Sequence, residues 1–220
     1  MSSTLKSRAE AELDRLARDP YCALYLPLWK MDGYSNIYSR EAASKSFSIE
    51  TTQWTPQGRS FSGGNKLYTY DDQGLDIEDA VTVELYLKHT SAPGASCYLL
   101  GKRYDTFCLL CNASRSVYFS VTTAGGTAEE YLNISCPLNR FALVSATYDS
   151  SDGKMRGYLD GQLTGVKTHD HGGKICIDHT GYIRVGNNLE GIIALALYYS
   201  RALAPPEIEH HSRVARRLFQ

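Results

Sequence analysis

Strict alternation marks residues 80–89, AVTVELYLKH. Val81, Val83, Leu85 and Leu87 fall on one side of an extended chain, and Thr82, Glu84, Tyr86 and Lys88 on the other. SVYFSV, beginning at residue 116, alternates in the same way, and EEYLNIS, RFALVSATYD, GYIRVG and GIIALALYYS read as further strands. Upstream, YCALYLPLW, SFSI, GRSFSG and NKLYTY are shorter runs of the same kind. Between KMRGYL and QLTGV stand Asp160 and Gly161, a pair that predicts a two-residue type I′ hairpin turn in which both central residues take positive φ. Many short strands at regular spacing, separated by turn residues, predict an all-β chain folded as a two-sheet antiparallel sandwich.

The period turns helical at the two ends. Residues 2–19 carry a narrow stripe of Leu5, Ala9, Leu13 and Leu16 among Arg, Asp and Glu, with Ser2 or Ser3 placed to cap and Pro20 to stop. A second helix is predicted from Pro205 to about Phe219, with Arg213, Arg216 and Arg217 where the dipole favours cations. The first stripe is too narrow for a core helix. Residues 1–20 are therefore expected to form an attachment segment, with Leu5, Leu13 and Leu16 docking on a partner subunit, and residues 21–220 the folded domain with its C-terminal helix.

Composition adds exclusions. The chain has 220 residues, 23 basic and 24 acidic, with a formal net charge of -1. No global field draws it to nucleic acid or to an anionic membrane. No run approaches the roughly 18 apolar residues of a membrane span. The N-terminus lacks an apolar signal region, so the chain is expected to be made in the cytoplasm without a signal peptide. The six cysteines are irregularly spaced and are expected to be reduced and mostly buried. In CLLC, Cys108 and Cys111 lie three apart on a strand and point to opposite faces, which argues against a shared zinc.

The order of motifs in the C-terminal third is more specific. RFALVSATYDSSDGKMRGYLDGQLTG and then GYIRVGNNLEGIIALALYYSRALAPPEI resemble the laminin-G-like, concanavalin-A-like jelly-roll family. The signals are Thr147-Tyr148-Asp149, Tyr158-Leu159-Asp160-Gly161, Val185-Gly186, Gly191-Ile192, and Tyr199 through Ile208. Phe141 stands where members often carry Trp, and Ala204 replaces the usual capping Ser. The resemblance implies a jelly roll over about residues 21–212, and leaves function open because fold does not fix function.

Candidate chemistry is sparse. Glycoside hydrolysis usually needs two facing carboxylates. Glu84 has no acidic neighbour on its own face, and Glu129 and Glu130 diverge, so no catalysis is expected. No cofactor is required, although related jelly rolls often hold calcium at the rim. Asp71, Asp72, Asp178, Asn187 and Asn188 are the oxygen donors that could do so here, against a reading as plain turn formers. THDHGGKICIDH, containing His169, His171 and His179, is expected to be a solvated loop rather than a transition-metal site. Tyrosine is the unusual residue, at 16 against 6 Phe and 2 Trp. Tyr34 with Tyr38, and Tyr68 with Tyr70, project together if extended and form the candidate ligand surface.

Two functions follow. A helix that needs a docking partner, on a fold used for capsids and lectins, suggests a virion-surface subunit, of decoration or fibre type, with glycan or cell-surface adhesion. The alternative is a stand-alone, lectin-like carbohydrate-binding module, with calcium as a conditional cofactor. Both imply protein or glycan partners, with no nucleic acid and no membrane insertion.

Overall fold

The computed structural model describes residues 3–30, 36–70, 75–91, 97–102, 106–112, 116–123, 130–177 and 182–219. The chain opens with helix α1 (Ser3–Leu16), then β1 (Cys22–Pro27) and one 3₁₀ turn (Leu28–Lys30). Five short strands follow: β2 (Asn36–Tyr38), β3 (Ser46–Glu50), β4 (Gln53–Thr55), β5 (Gly58–Phe61) and β6 (Lys66–Tyr70). The central strands are β7 (Ala80–His89), β8 (Cys97–Lys102), β9 (Phe107–Cys111), β10 (Ser116–Val121) and β11 (Glu130–Ser135). The last are β12 (Phe141–Asp149), β13 (Lys154–Leu159), β14 (Gln162–Thr168), β15 (Tyr182–Asn187) and β16 (Gly191–Tyr199), before helix α2 (Pro205–Phe219).

The strands pair antiparallel into two eight-stranded sheets. One runs β14-β13-β12-β7-β16-β5-β4, with β1 also on β16; the other runs β11-β10-β9-β8-β15-β6-β3-β2. Val81, Val83, Leu85 and Leu87 of β7 face Leu99, Phe107, Leu109, Phe119, Val185 and their neighbours in the core between the sheets. The alternation in the sequence thus has the predicted meaning. The hairpin does as well: Asp160 has φ 52° and Gly161 φ 86°. Gly161 is needed twice over, since a Cβ there would stand 2.9 Å from the α2 backbone at Glu209. Asp160 fixes the turn by accepting from the Leu143 amide at 3.0 Å and pairing with Arg140 at 2.8 Å.

The sandwich has a third layer. The other side of β7, β12 and β16 meets α1 and α2 in a second apolar cluster that joins Tyr86, Leu143, Leu195, Leu197 and Tyr199 to Ile208, Val214 and Leu218. Phe219 ends α2 in this cluster, edge-on to Trp29 at 5.2 Å and stacked on Tyr86 at 5.0 Å. Glu84, polar in the alternation, is wholly buried beneath α2; Ser145 Oγ and His211 Nδ1 donate to it at 2.8 and 2.6 Å. Burial opposes charge on His211, but the charge and hydrogen bond of Glu84, helped by Glu207, raise its pKa. At the start of α2 the missing capping Ser is offset, because Glu207 accepts from the Ala204 amide at 2.8 Å, the return half of a capping box.

Three expectations are corrected here. Leu13 does not wait for a partner subunit: it is 0% exposed inside the second cluster, with Ala9 beside it at 2%, and Leu16 packs at the cluster's edge. The narrow stripe suffices because Ala9, Leu13 and Leu16 are the α1 residues that join the second cluster. Leu5 lies within α1, but its side chain is outside the described structure. Cys97 and Cys111 are not reduced thiols: they oppose each other across β8 and β9 with Cα atoms 5.1 Å apart, and form a disulfide. The histidine segment is not simply solvated, since His169 is 2% exposed with Nε2 3.1 Å from the Val121 carbonyl oxygen; His179 lies outside the described residues.

Candidate functional site

Helices cover the outer side of one sheet, and the outer side of the other, β11 to β2, carries no described helix. Inward residues of β6 and β15 (Leu67, Ile183, Val185) belong to the core, so their alternates Lys66, Tyr68, Tyr70, Tyr182 and Arg184 must point outward. Antiparallel pairing then sets Tyr70 opposite Tyr182 and Tyr68 opposite Arg184. The three rings meet edge to face, with centroids 6.5 Å (Tyr68–Tyr70), 6.4 Å (Tyr68–Tyr182) and 6.2 Å (Tyr70–Tyr182) apart. Tyr70 is 75% exposed and Tyr182 36%, an unusual amount of aromatic surface to leave in water.

Two cations frame the triad. Lys66 stands 6.0 Å from the Tyr68 ring and is neutralised by Glu50 of β3 at 2.7 Å. The Arg184 guanidinium lies 4.7 Å from the centre of Tyr182 and 5.6 Å from that of Tyr98. Its Nε is buried without an acceptor, and no carboxylate among the described residues pairs with it. The chemistry offered is flat aromatic edges and faces for stacking, phenol hydroxyls for hydrogen bonds, and one guanidinium with no carboxylate partner among the described residues.

Of the sequence candidates, the structure brings Tyr68 and Tyr70 together as expected. Tyr38 stands on the same outer face at β2, 61% exposed, but makes no ring contact with the triad. Tyr34 lies outside the described residues, as do Asp71, Asp72 and Asp178. Asn187 is the last residue of β15, opposite Tyr98, and Asn188 follows it in a turn with φ 63°, the conformation of a turn former. Tyr98, Tyr182 and Arg184 were not picked out. The signal was present in GYIRVG, where Tyr182 and Arg184 are two apart on a strand, but only the pairing of β15 with β6 gives it meaning.

The structure also has a cleft of about 660 Å³ between α1 and α2, lined among others by Arg15, Arg18, Arg201, Glu207 and His211. Its deeper groups are already committed to holding the helices: Arg201 bridges Asp19 at 2.8 Å and Glu207 at 2.7 Å, and His211 is bound to Glu84. The cleft is better explained as the seam of helix packing.

Fold and site together define a lectin-like sandwich with one helix-covered sheet and one open aromatic face. Residues 61–209 match the family model of the concanavalin A-like lectin/glucanases superfamily, and the chain belongs to that superfamily. No curated protein matches it in sequence. Among solved structures it is similar to the botulinum neurotoxin serotype D ligand-binding domain in complex with N-acetylneuraminic acid (TM-score 0.72, 12% identity, covering 93% of this chain and 52% of that one). It is also similar to botulinum neurotoxin type C, whose cell entry depends on interaction with two ganglioside molecules (TM-score 0.69, 12% identity, 94% and 53% covered). A third is the binding domain of neurotoxin DC in complex with rat synaptotagmin II (TM-score 0.67, 11% identity, 89% and 52% covered). The chain spans about half the length of these structures, and the likeness is one of fold.

Proposed function

We propose that this chain is a recognition module that binds a saccharide or a glycosylated receptor through the tyrosine face of β6 and β15. The observation that carries the reading is the cross-strand triad Tyr68–Tyr70–Tyr182, presented to solvent with Arg184 beside it. Aromatic rings stack on the apolar faces of sugars, and their hydroxyls meet the sugar's polar rim. Neighbouring folds whose proteins interact with gangliosides, N-acetylneuraminic acid and rat synaptotagmin II support the same class of function.

The Cys97–Cys111 disulfide favours an exterior, oxidising location. A virion-surface subunit is compatible with that location, but the burial of Leu13 within its own chain removes the attachment helix as support for it. The recognition module is therefore the reading we retain.

A glycan array tests it. Wild type should bind a restricted set of glycans, and Tyr70→Ala should weaken binding by about tenfold, the loss of roughly 1.4 kcal/mol at an aromatic hot spot. Because Tyr70 is largely exposed, its removal should leave the melting temperature unchanged. Full binding by both Tyr70→Ala and Tyr182→Ala would place the ligand elsewhere.

A further inference from the structure

We infer that Arg184 anchors a carboxylate on the bound saccharide, so that the tyrosine face selects acidic over neutral glycans; this rests on the reading of that face as a glycan site. Three observations point to it. Arg184 sits in the middle of the aromatic group, opposite Tyr68 in register and packed on the rings of Tyr182 and Tyr98. It has no carboxylate and no hydrogen-bond acceptor among the described residues, whereas Lys66 beside it is matched by Glu50 and Arg201 elsewhere by two acids. Its side chain packs near the Tyr182 and Tyr98 rings with Nε buried, so it loses little freedom when a ligand arrives.

The geometry of a guanidinium decides the ligand chemistry. The guanidinium carbon lies 4.7 Å from the Tyr182 ring centre and 5.6 Å from that of Tyr98, and its buried Nε donates to no acceptor among the described residues. A planar fork of N–H donors suits a carboxylate, which can accept two parallel bonds. A cation partly withdrawn from water, with no counter-ion among the described residues, is an arrangement that an anionic ligand relieves and a neutral one does not. The tyrosines would stack on the ring of the sugar, while Arg184 reads its charge.

Titration calorimetry with sialyllactose and with lactose separates the two contributions, because the pair differs by the one sugar that bears the carboxylate. Wild type should bind sialyllactose at least about tenfold more tightly than lactose, the range of a hydrogen bond to a charged group. Arg184→Gln should bring sialyllactose down to the lactose level and leave lactose unchanged. Arg184→Lys should recover only part of the preference, since lysine keeps the charge but not the fork. Melting temperatures of the variants establish that they are folded, and if Arg184→Gln is not, Arg184→Lys carries the comparison. Equal binding of the two sugars by all three proteins would overturn the inference and leave the glycan reading intact. Loss of lactose and sialyllactose binding alike in Arg184→Lys would also overturn it, by showing a structural role. If neither sugar binds wild type and the array is blank, the glycan reading falls and the inference falls with it.

Discussion

Replacing Leu13 by Ala tests whether α1 belongs to its own domain. Leu13 is 0% exposed, in a cluster with Tyr25, Leu197, Tyr199, Ile208 and Ala215. Leucine-to-alanine changes at sites of this kind cost about 2–5 kcal/mol, the spread reflecting how far the surroundings close on the cavity. Here α1 packs mainly on α2 and can shift inward, and a cost of about 3 kcal/mol is expected. For a chain of this size that corresponds to a fall in melting temperature of about 6–12 °C. Leu16→Ala, at the edge of the same cluster, should cost about 1 kcal/mol and a few degrees. Thermal melts followed by circular dichroism would read both. A fall below about 2 °C for Leu13→Ala would mean that the helix is not seated on its own sheet. That result would restore a partner subunit as its docking site.

Two further predictions concern stability. Reducing Cys97–Cys111, which closes a loop of sequence separation 14, should lower stability by about 3 kcal/mol, and a Cys97→Ala, Cys111→Ala double variant should melt at the same temperature with or without reductant. A reductant-insensitive wild type would contradict the bond. His211 has its folded pKa raised from 6.5, with burial opposing the charge and Glu84 outweighing it. Its contribution to stability is therefore fully present below that ordinary value and is lost as the pH rises through the raised folded one. Melting temperatures of wild type and His211→Gln should differ most below the ordinary histidine pKa of 6.5 and converge as the pH rises through the raised folded one; a gap independent of pH would sever the Glu84 link.

Much of the architecture can be read from the sequence, and what cannot has a physical cause. A period of two tells which residues of β7 share a face, and Val81, Val83, Leu85 and Leu87 do share one, which the structure turns to the core. It does not tell whether the opposite face is covered, so the burial of Glu84 and Tyr86 beneath α2 was out of reach. The Asp160-Gly161 turn was legible because its φ requirement is local. Cys97 and Cys111 become partners only through the register of β8 on β9, shifted by a bulge after Tyr98 that spacing alone does not reveal. The site divides in the same way. Tyr68 and Tyr70 are neighbours along one strand and could be paired by inspection. Tyr182 joins them only because β15 lies beside β6, a contact between segments that are distant in the chain.

The central claim is that ligand recognition belongs to the open face of β6 and β15. Mapping backbone-amide chemical shifts while adding a glycan identified on the array tests it most directly. The account predicts that the perturbed residues cluster at Lys66, Tyr68, Tyr70, Tyr182 and Arg184, with Tyr98 included and α1 and α2 silent. Perturbations gathered instead around Arg15, Arg18 and His210, in the cleft between the helices, would contradict it.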